Sequence, residues 1–171
     1  SATCVTGLVV RDTFTGWTVF GQLVILALIQ LGGLGFMTFI TLTSMLLGKR
    51  LGLYDRKVLM QSAGNITLDG TATLIRKIIP FTFVFEFAGA ALLAIRFIPE
   101  FGVLRGIYAA VFHAISAFCN AGFDLMGHWQ PYSSMTRYAD DPLVLGTVMA
   151  LIVLGGIGFF VWDDIAKNQW H

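Results

Sequence analysis

Charged residues are scarce in this sequence. They make up 12% of the 171 residues, whereas a typical soluble domain carries about 25%. The formal net charge of +1 excludes a nucleic-acid-binding protein that works by bulk electrostatic attraction to phosphate. Proline is also scarce, and four prolines beside fifteen phenylalanines exclude a disordered or collagen-like chain.

Apolar residues take the place of charge, and they come in long blocks. Hydrophobic residues form 56% of the chain, and its mean hydropathy is +0.77. A membrane-spanning helix needs about 20 mostly apolar residues, and the stretches 17–47, 78–97 and 142–162 meet that requirement. We therefore predict an all-α polytopic membrane protein with three spans.

A fourth apolar stretch, 103–123, differs from these three. It contains His113, Ser116 and Cys119 and ends at the break Asn120-Ala121-Gly122. Non-helical backbone at membrane depth survives only where protein buries it or where it lines a water-filled path. We expect a re-entrant pore half-helix that enters the membrane and returns, with a helix lying flat at the interface as the alternative.

The distribution of basic residues predicts the orientation. Six of the eleven lysines and arginines lie between Lys49 and Lys77, and cytoplasmic loops carry the excess of such residues. We therefore expect residues 49–77 on the cytoplasmic side of the plasma membrane and residues 98–141 on the extracellular side. The sequence begins at Ser1 without an initiator methionine, which we interpret as a piece of a longer protein.

An internal repeat organises the chain. Residues 1–7 match residues 116–122 at four of seven positions, a spacing of 115. Residues 28–36 match residues 151–159 at seven of nine positions, a spacing of 123, and both copies contain Gly-Gly-x-Gly-Phe. The repeating unit is then a span, a pore half-helix, a loop with glycine and a second span.

The two copies divide the chain into two domains. We predict that residues 1–66 are the C-terminal part of pore repeat 1 (filter loop, second span and cytoplasmic connection). Residues 67–171 form the complete pore repeat 2 (span, pore half-helix, filter loop and second span). Copies of one topology around a common axis hold their loops at one depth, as in a cation filter built from backbone carbonyls. Glycine most easily reaches the φ/ψ values that aim consecutive carbonyls at one axis, which singles out Gly7 and Gly122.

Three motifs carry a resemblance to a known family. They are Ala2-Thr3-Cys4-Val5-Thr6-Gly7-Leu8, the run from His113 to Phe123, and the two Gly-Gly-x-Gly-Phe segments. Over essentially its whole length the chain resembles the membrane subunits of the Trk/Ktr/HKT potassium-transporter superfamily, and within it those of the Ktr type. The resemblance implies four repeats around one pore, each with one filter glycine, and Gly7 and Gly122 occupy two of those positions. The family's third repeat, with its intramembrane gating loop, and its fourth are absent from these residues.

The resemblance also implies the ligand. It implies that potassium is the transported ion. The first filter position holds glycine (Gly7) rather than serine, which resembles the potassium-selective members of the family. No cofactor is expected in this chain, and sodium is a candidate activator. The carbonyls expected to bind potassium are those of Val5, Thr6, Gly7, Asn120, Ala121 and Gly122.

Partners follow from the same resemblance. It implies a homodimer in the lipid bilayer on a cytoplasmic nucleotide-binding regulatory ring of the KtrA type, and no nucleic acid is expected. The basic stretch 48–77 would dock that ring, although contact with anionic lipid explains the same residues. The competing hypothesis is a non-conducting membrane interaction or structural module. An enzyme is not expected, because His113 and Ser116 lack a partner on a second span.

Several side chains have two interpretations. Cys4 and Cys119 are a disulfide or metal pair or, more simply, small packing residues. Glu86, the single acid well inside a predicted span, is a functional group or a structural hydrogen-bonding partner of a neighbouring helix. Asp12 and Asp124, just beyond the filter glycines, concentrate cations at an outer mouth or are solvated loop acids.

Two further patterns predict local structure. The Gly-Gly-x-Gly segments favour close helix packing or a bend in each span. Asp141 followed by Pro142 is typical of a helix N-cap with proline at the first helical position.

Overall fold

The computed structural model describes residues 1–35, 68–158 and 161–162. These ranges contain α-helices and short 3₁₀ turns and no β-strand, which confirms the predicted all-α class. The four α-helices are α1 (Val19–Gly33), α2 (Leu68–Phe101), α3 (Val103–Phe118) and α4 (Pro142–Gly156). The predicted domain boundary at residue 66 and the basic residues from Lys49 to Lys57 lie outside the described residues.

Length separates α2 from the other helices. It runs for 34 residues, and Ile78–Phe101 is the one segment of the described ranges that is long and apolar enough to cross a membrane. Helices α1 and α4 have 15 residues each, and α3 has 16. The residues expected to continue the first span beyond position 35 lie outside the described part, so the three-span topology stays a prediction.

Helices α2 and α3 form an antiparallel hairpin. Gly102 separates them with φ +82°, a left-handed conformation that glycine adopts at little steric cost. Gly106 of α3 then approaches α2 so closely that an added Cβ would lie 2.7 Å from the Cα of Ile98. Further along the pair, the rings of Phe85 and Phe118 stack with centroids 6.1 Å apart. The hairpin thus brings the end of α3 back to the middle of α2.

The start of α4 is the predicted one. Asp141 precedes the helix in an extended conformation, and Pro142 is its first residue. The Asp141 carboxylate accepts hydrogen bonds from the backbone N–H groups of Leu143 (3.1 Å) and Val144 (3.2 Å). These bonds satisfy amide groups that have no partner inside the helix, and the predicted N-cap is confirmed.

Two apolar clusters hold the elements together. The first packs α2, α3 and α4 around the fully buried Phe97 and Leu93. The second joins Ile29 of α1 to Phe112 of α3 and to the residues that follow α3, and Ala2 and Val5 pack against it. Burying a side chain of this size stabilises a fold by about 1.5–3 kcal/mol. The second cluster therefore holds the N-terminal residues against the end of α3.

Candidate functional site

The two segments that match in sequence also match in backbone hydrogen bonding. We call residues 1–7 the first loop and residues 116–122 the second loop. Each contains two turn hydrogen bonds, and every donor and acceptor of one loop has its counterpart 115 residues away in the other. The N–H donors and carbonyl acceptors are Val5 to Ala2 (3.2 Å) and Thr6 to Ser1 (3.1 Å), then Asn120 to Ala117 (3.0 Å) and Ala121 to Ser116 (2.8 Å).

The loops share an unusual pattern of backbone angles as well. In the first loop φ is +52° at Val5 and +75° at Gly7, and in the second it is +58° at Asn120 and +71° at Gly122. A positive φ is uncommon outside glycine, and for a β-branched residue such as valine it is a genuine outlier. Strained conformations of this kind persist where the surrounding structure enforces them, often at functional sites.

The two loops are in direct contact. A Cβ added to Gly7 would lie 2.8 Å from the carbonyl oxygen of Ala121, and a Cβ added to Gly122 would lie 3.4 Å from the Cα of Gly7. The structure therefore brings together Gly7, Ala121 and Gly122 of the six predicted carbonyl ligands. Among the six, Ala121 is buried, Val5 and Gly7 are half-buried, and Thr6, Asn120 and Gly122 are exposed.

Equivalent glycines of α1 and α4 pack closely against the backbone of the two loops. A Cβ at Gly32 would overlap the carbonyl oxygen of Thr3, and a Cβ at Gly155 would overlap that of Phe118. Thr3 and Phe118 are matching loop positions, and Gly32 and Gly155 are matching helix positions. The predicted close packing is confirmed, but its partner is loop backbone. The sequence offered a signal for this contact, since the loops and the glycine segments recur together.

His113 and Ser116 bind backbone groups rather than each other. The Ser116 hydroxyl donates to the carbonyl of Phe123 (2.6 Å). The N–H of Leu125 donates to Nε2 of His113 (3.1 Å), so the ring proton lies on Nδ1, which contacts the carbonyl of Ala109 at 2.7 Å. Both side chains are buried. They tie the chain that leaves the second loop back onto α3, and no hydroxyl–imidazole pair forms between these two residues.

Asp12 is buried and fully engaged. Its side chain is 6% exposed, and its carboxylate accepts hydrogen bonds from the N–H groups of Phe14 (3.0 Å), Thr15 (2.8 Å) and Tyr132 (3.0 Å). Burial by itself raises the pKa of Asp12, but the bonds from Tyr132, Thr15 and Phe14 outweigh it and hold the pKa below its usual range. Asp12 is therefore an anchor between the segments that follow the two loops, and its interpretation as a solvated loop acid is wrong.

Asp124 lies beside the second loop. It lines a cavity of about 270 Å³ together with Asn120 and Gly122 of the loop and Ile152 of α4. Burial, with a smaller contribution from the negative charge of Asp12, raises the pKa of Asp124 above its usual range. A carboxylate at this place is positioned to attract a cation to the loop.

The remaining candidates are Glu86 and the two cysteines. Glu86 of α2 accepts a hydrogen bond from the side chain of Gln30 on α1 at 2.9 Å, which is the structural bond to a neighbouring helix that the sequence left open. Both cysteines lie within the described residues, and both are free thiols: Cys4 is exposed and Cys119 is buried. The disulfide interpretation is therefore wrong, and Cys119 packs against Gly33.

Comparison with known proteins gives a family and several relatives. Residues 1–168 match the family described as TrkH, cation transport protein. Ktr system potassium uptake protein B of Bacillus subtilis is 46% identical over 169 residues, covering 99% of this chain and 37% of that protein. Potassium/sodium uptake protein NtpJ of Enterococcus hirae is 41% identical over 165 residues (96% and 36%). Ktr system potassium uptake protein B of Vibrio alginolyticus is 38% identical over 168 residues (98% and 36%). The chain thus spans little more than a third of the length of these relatives.

Proposed function

Because the chain belongs to the family of TrkH cation transport proteins, as its motifs predicted, we propose that it forms part of a potassium translocation pathway. The names of two relatives, both potassium uptake proteins, support potassium as the ion. The observation that carries the proposal is the pair of loops with one backbone conformation, in contact at Gly7 and Gly122. A packing module has no need of two such loops.

Backbone carbonyls are the proposed ion ligands. Carbonyl oxygens replace the hydration shell of potassium without adding a fixed charge, so the ion also leaves readily. Along an ordinary strand successive carbonyls point to opposite sides, whereas a φ that changes sign between neighbours turns them toward one side. Val5-Thr6-Gly7 and Asn120-Ala121-Gly122 have this alternation, with positive φ at the first and third residue of each. Further repeats of the full protein complete the ring around the ion.

The electrostatics near the second loop fit the same cation. Helix α3 ends at Phe118, within the first half of the second loop, and the C-terminal end of a helix carries a partial negative charge. Asp124 adds a carboxylate next to Gly122. In the proposed mechanism potassium arrives from the extracellular side, exchanges water for loop carbonyls, and passes inward between the second spans of the repeats.

The remaining assignments complete the proposal. Residues 1–66 are the C-terminal part of pore repeat 1 and residues 67–171 are pore repeat 2 of a plasma-membrane subunit, with residues 49–77 in the cytoplasm and 98–141 outside. The subunit forms a homodimer on a cytoplasmic nucleotide-binding ring of the KtrA type, and the Ktr system names of two relatives support association with other components. Sodium remains the candidate activator, and the protein is not an enzyme.

Ion flux through the full-length transporter tests the proposal. Gly122→Ser should leave the protein in the membrane and weaken selection of rubidium over sodium, because the substituted loop no longer holds its carbonyls in place. Gly102→Ser is the matched control, since Gly102 also has a positive φ but lies at the α2–α3 turn with no atom near an added Cβ. Unchanged selectivity in Gly122→Ser would overturn the filter assignment, and absence of flux in the wild-type protein would favour a non-conducting module.

A further inference from the structure

Glu86 connects helix α2, on which it lies, to helix α1 and to the second loop. It lies on α2, is 4% exposed, and accepts a hydrogen bond from Nε2 of Gln30 on α1 at 2.9 Å. The same carboxylate oxygen lies 4.0 Å from the thiol of Cys119, the residue between the end of α3 and Asn120. One oxygen atom thus contacts the second span of the first copy and the loop of the second copy.

This contact is polar, although an apolar contact at the same place would stabilise the fold at least as well. Three buried oxygens lack a hydrogen-bond partner among the residues that the structure describes: Oε1 of Gln30, Oγ1 of Thr82 and Oε2 of Glu86. Thr82 is one helical turn from Glu86, so both side chains lie on one face of α2. Unpaired buried polar groups are rare in native proteins, and replacing buried polar pairs with apolar ones of similar volume is often neutral or stabilising. Stability alone therefore does not explain this cluster.

Among the residues that the structure describes, the contact occurs in one copy of the repeat. Val153 stands at the position of α4 that matches Gln30 of α1, and it is 59% exposed. A Gln–Glu link therefore belongs to the junction between the two copies and is not a general feature of the repeat.

We propose that Glu86 is a positioning residue that, through Gln30 and Cys119, holds the second loop against α1 and thereby sets the ion selectivity of the pathway. The inference rests on the proposed function of the loops. A carboxylate or an amide serves equally well at this position, provided that its oxygen accepts the bond from Gln30. The role therefore depends on hydrogen-bond geometry and not on charge.

Four variants of the full-length transporter test this role. Glu86→Leu and Gln30→Leu remove the bond and should each lower rubidium-over-sodium selectivity about fivefold, the factor that corresponds to the net contribution of one ordinary hydrogen bond. Glu86→Gln keeps the acceptor oxygen and should stay within about twofold of wild type. The exchange Gln30→Glu with Glu86→Gln reverses donor and acceptor and should restore the selectivity lost in the leucine variants.

A control separates selectivity from folding. Thr147 of α4 is buried, and its hydroxyl donates within its own helix to the carbonyl of Leu143 (2.7 Å). Thr147→Val should alter thermal stability without altering selectivity. If Glu86→Leu does not fold, Gln30→Leu and the exchange variant decide the question.

The outcomes distinguish this proposal from the function on which it rests. Unchanged selectivity in both leucine variants, with altered selectivity in Gly122→Ser, overturns the role of Glu86 and leaves the filter intact. Equal losses in Glu86→Gln and Glu86→Leu overturn it as well, because charge would then be the operative property. If Gly122→Ser also leaves selectivity unchanged, the filter itself is wrong.

Discussion

Gly7 and Gly122 lie side by side, although 115 residues separate them in the chain. A Cβ on Gly122 would be 3.4 Å from the Cα of Gly7, whereas a Cβ on Gly7 would be 2.8 Å from the carbonyl oxygen of Ala121. The contact is therefore asymmetric: Gly7 faces a backbone oxygen, and Gly122 faces a Cα. Both residues have φ above +70°, but only Gly7 lacks space for a methyl group.

We expect Gly7→Ala to damage the protein more than Gly122→Ala. Both substitutions place alanine at a positive φ, which costs about 1 kcal/mol. Gly7→Ala must also displace the Ala121 carbonyl, one of the proposed ligands. Thermal unfolding and rubidium-versus-sodium flux of the full-length protein should show a larger loss for Gly7→Ala on both measures. Equal losses would mean that the conformation of the loops, and not their contact, limits substitution.

Alanine substitutions at two glycines of α4 should change the stability of the protein in opposite directions. Gly155→Ala brings a methyl group onto the carbonyl of Phe118, and overpacking of this kind costs about 1–3 kcal/mol. Gly146 has no atom within 4 Å of an added Cβ, so Gly146→Ala should stabilise the helix by roughly 0.5–1 kcal/mol. Thermal unfolding of the two variants compares these effects within one helix. A stable Gly155→Ala variant would contradict the close approach of α4 to the second loop.

Asp12 should make stability depend on pH. Its folded-state pKa lies below the usual value, so its contribution is fully present above the unfolded-state pKa of about 3.9 and is lost as pH falls through the folded-state pKa. Asp12→Ala should cost about 1–3 kcal/mol at pH 7, because it leaves buried N–H groups without an acceptor. Thermal unfolding should show the gap between wild type and variant narrowing below pH 4.

The control for Asp12 is Asp140→Ala, which removes an exposed carboxylate. It should change the unfolding temperature little at either pH. A gap for Asp12→Ala that is the same at pH 7 and at low pH would contradict the assignment of its three backbone hydrogen bonds to the ionised form.

Thiol labelling tests the proposed ring of repeats. Cys119 is covered by Gly33 of α1, whereas Cys4, its counterpart in the first loop, is exposed. If a further repeat supplies the equivalent helix, both thiols should be protected from maleimide in the native full-length protein and should react after denaturation. Cysteine introduced at the exposed Thr136 serves as the labelling control. Rapid labelling of Cys4 alone would show that no helix covers the first loop.

Much of the candidate site could be predicted from the sequence because it is a repeated local pattern. The sequence match identified the two loops as equivalent parts of a repeat, and the loops have the same hydrogen bonds and the same signs of φ. The positive φ of Val5 was not predictable, since valine disfavours it and only the packing around the loop enforces it. The assignment of the loop carbonyls as ion ligands stays a prediction.

Side chains with two interpretations needed the tertiary structure. Asp12 has the sequence context of a solvated loop acid, but its role as an anchor between two segments depends on Tyr132, 120 residues away. Cys119 and Glu86 likewise meet through the hairpin of α2 and α3, and both contact α1. Spacing along one element cannot reveal such partners, because they come from elements distant in the chain.

The sequence by itself determined the class of this protein, its repeat and its family, because hydrophobic block length, glycine spacing and motif identity are properties of the chain. The tertiary structure alone decided which glycines must lack a side chain, that Asp12 is an anchor, and that Glu86 reaches both α1 and the second loop. The physical reason is that burial and hydrogen-bond partners depend on close packing between distant segments.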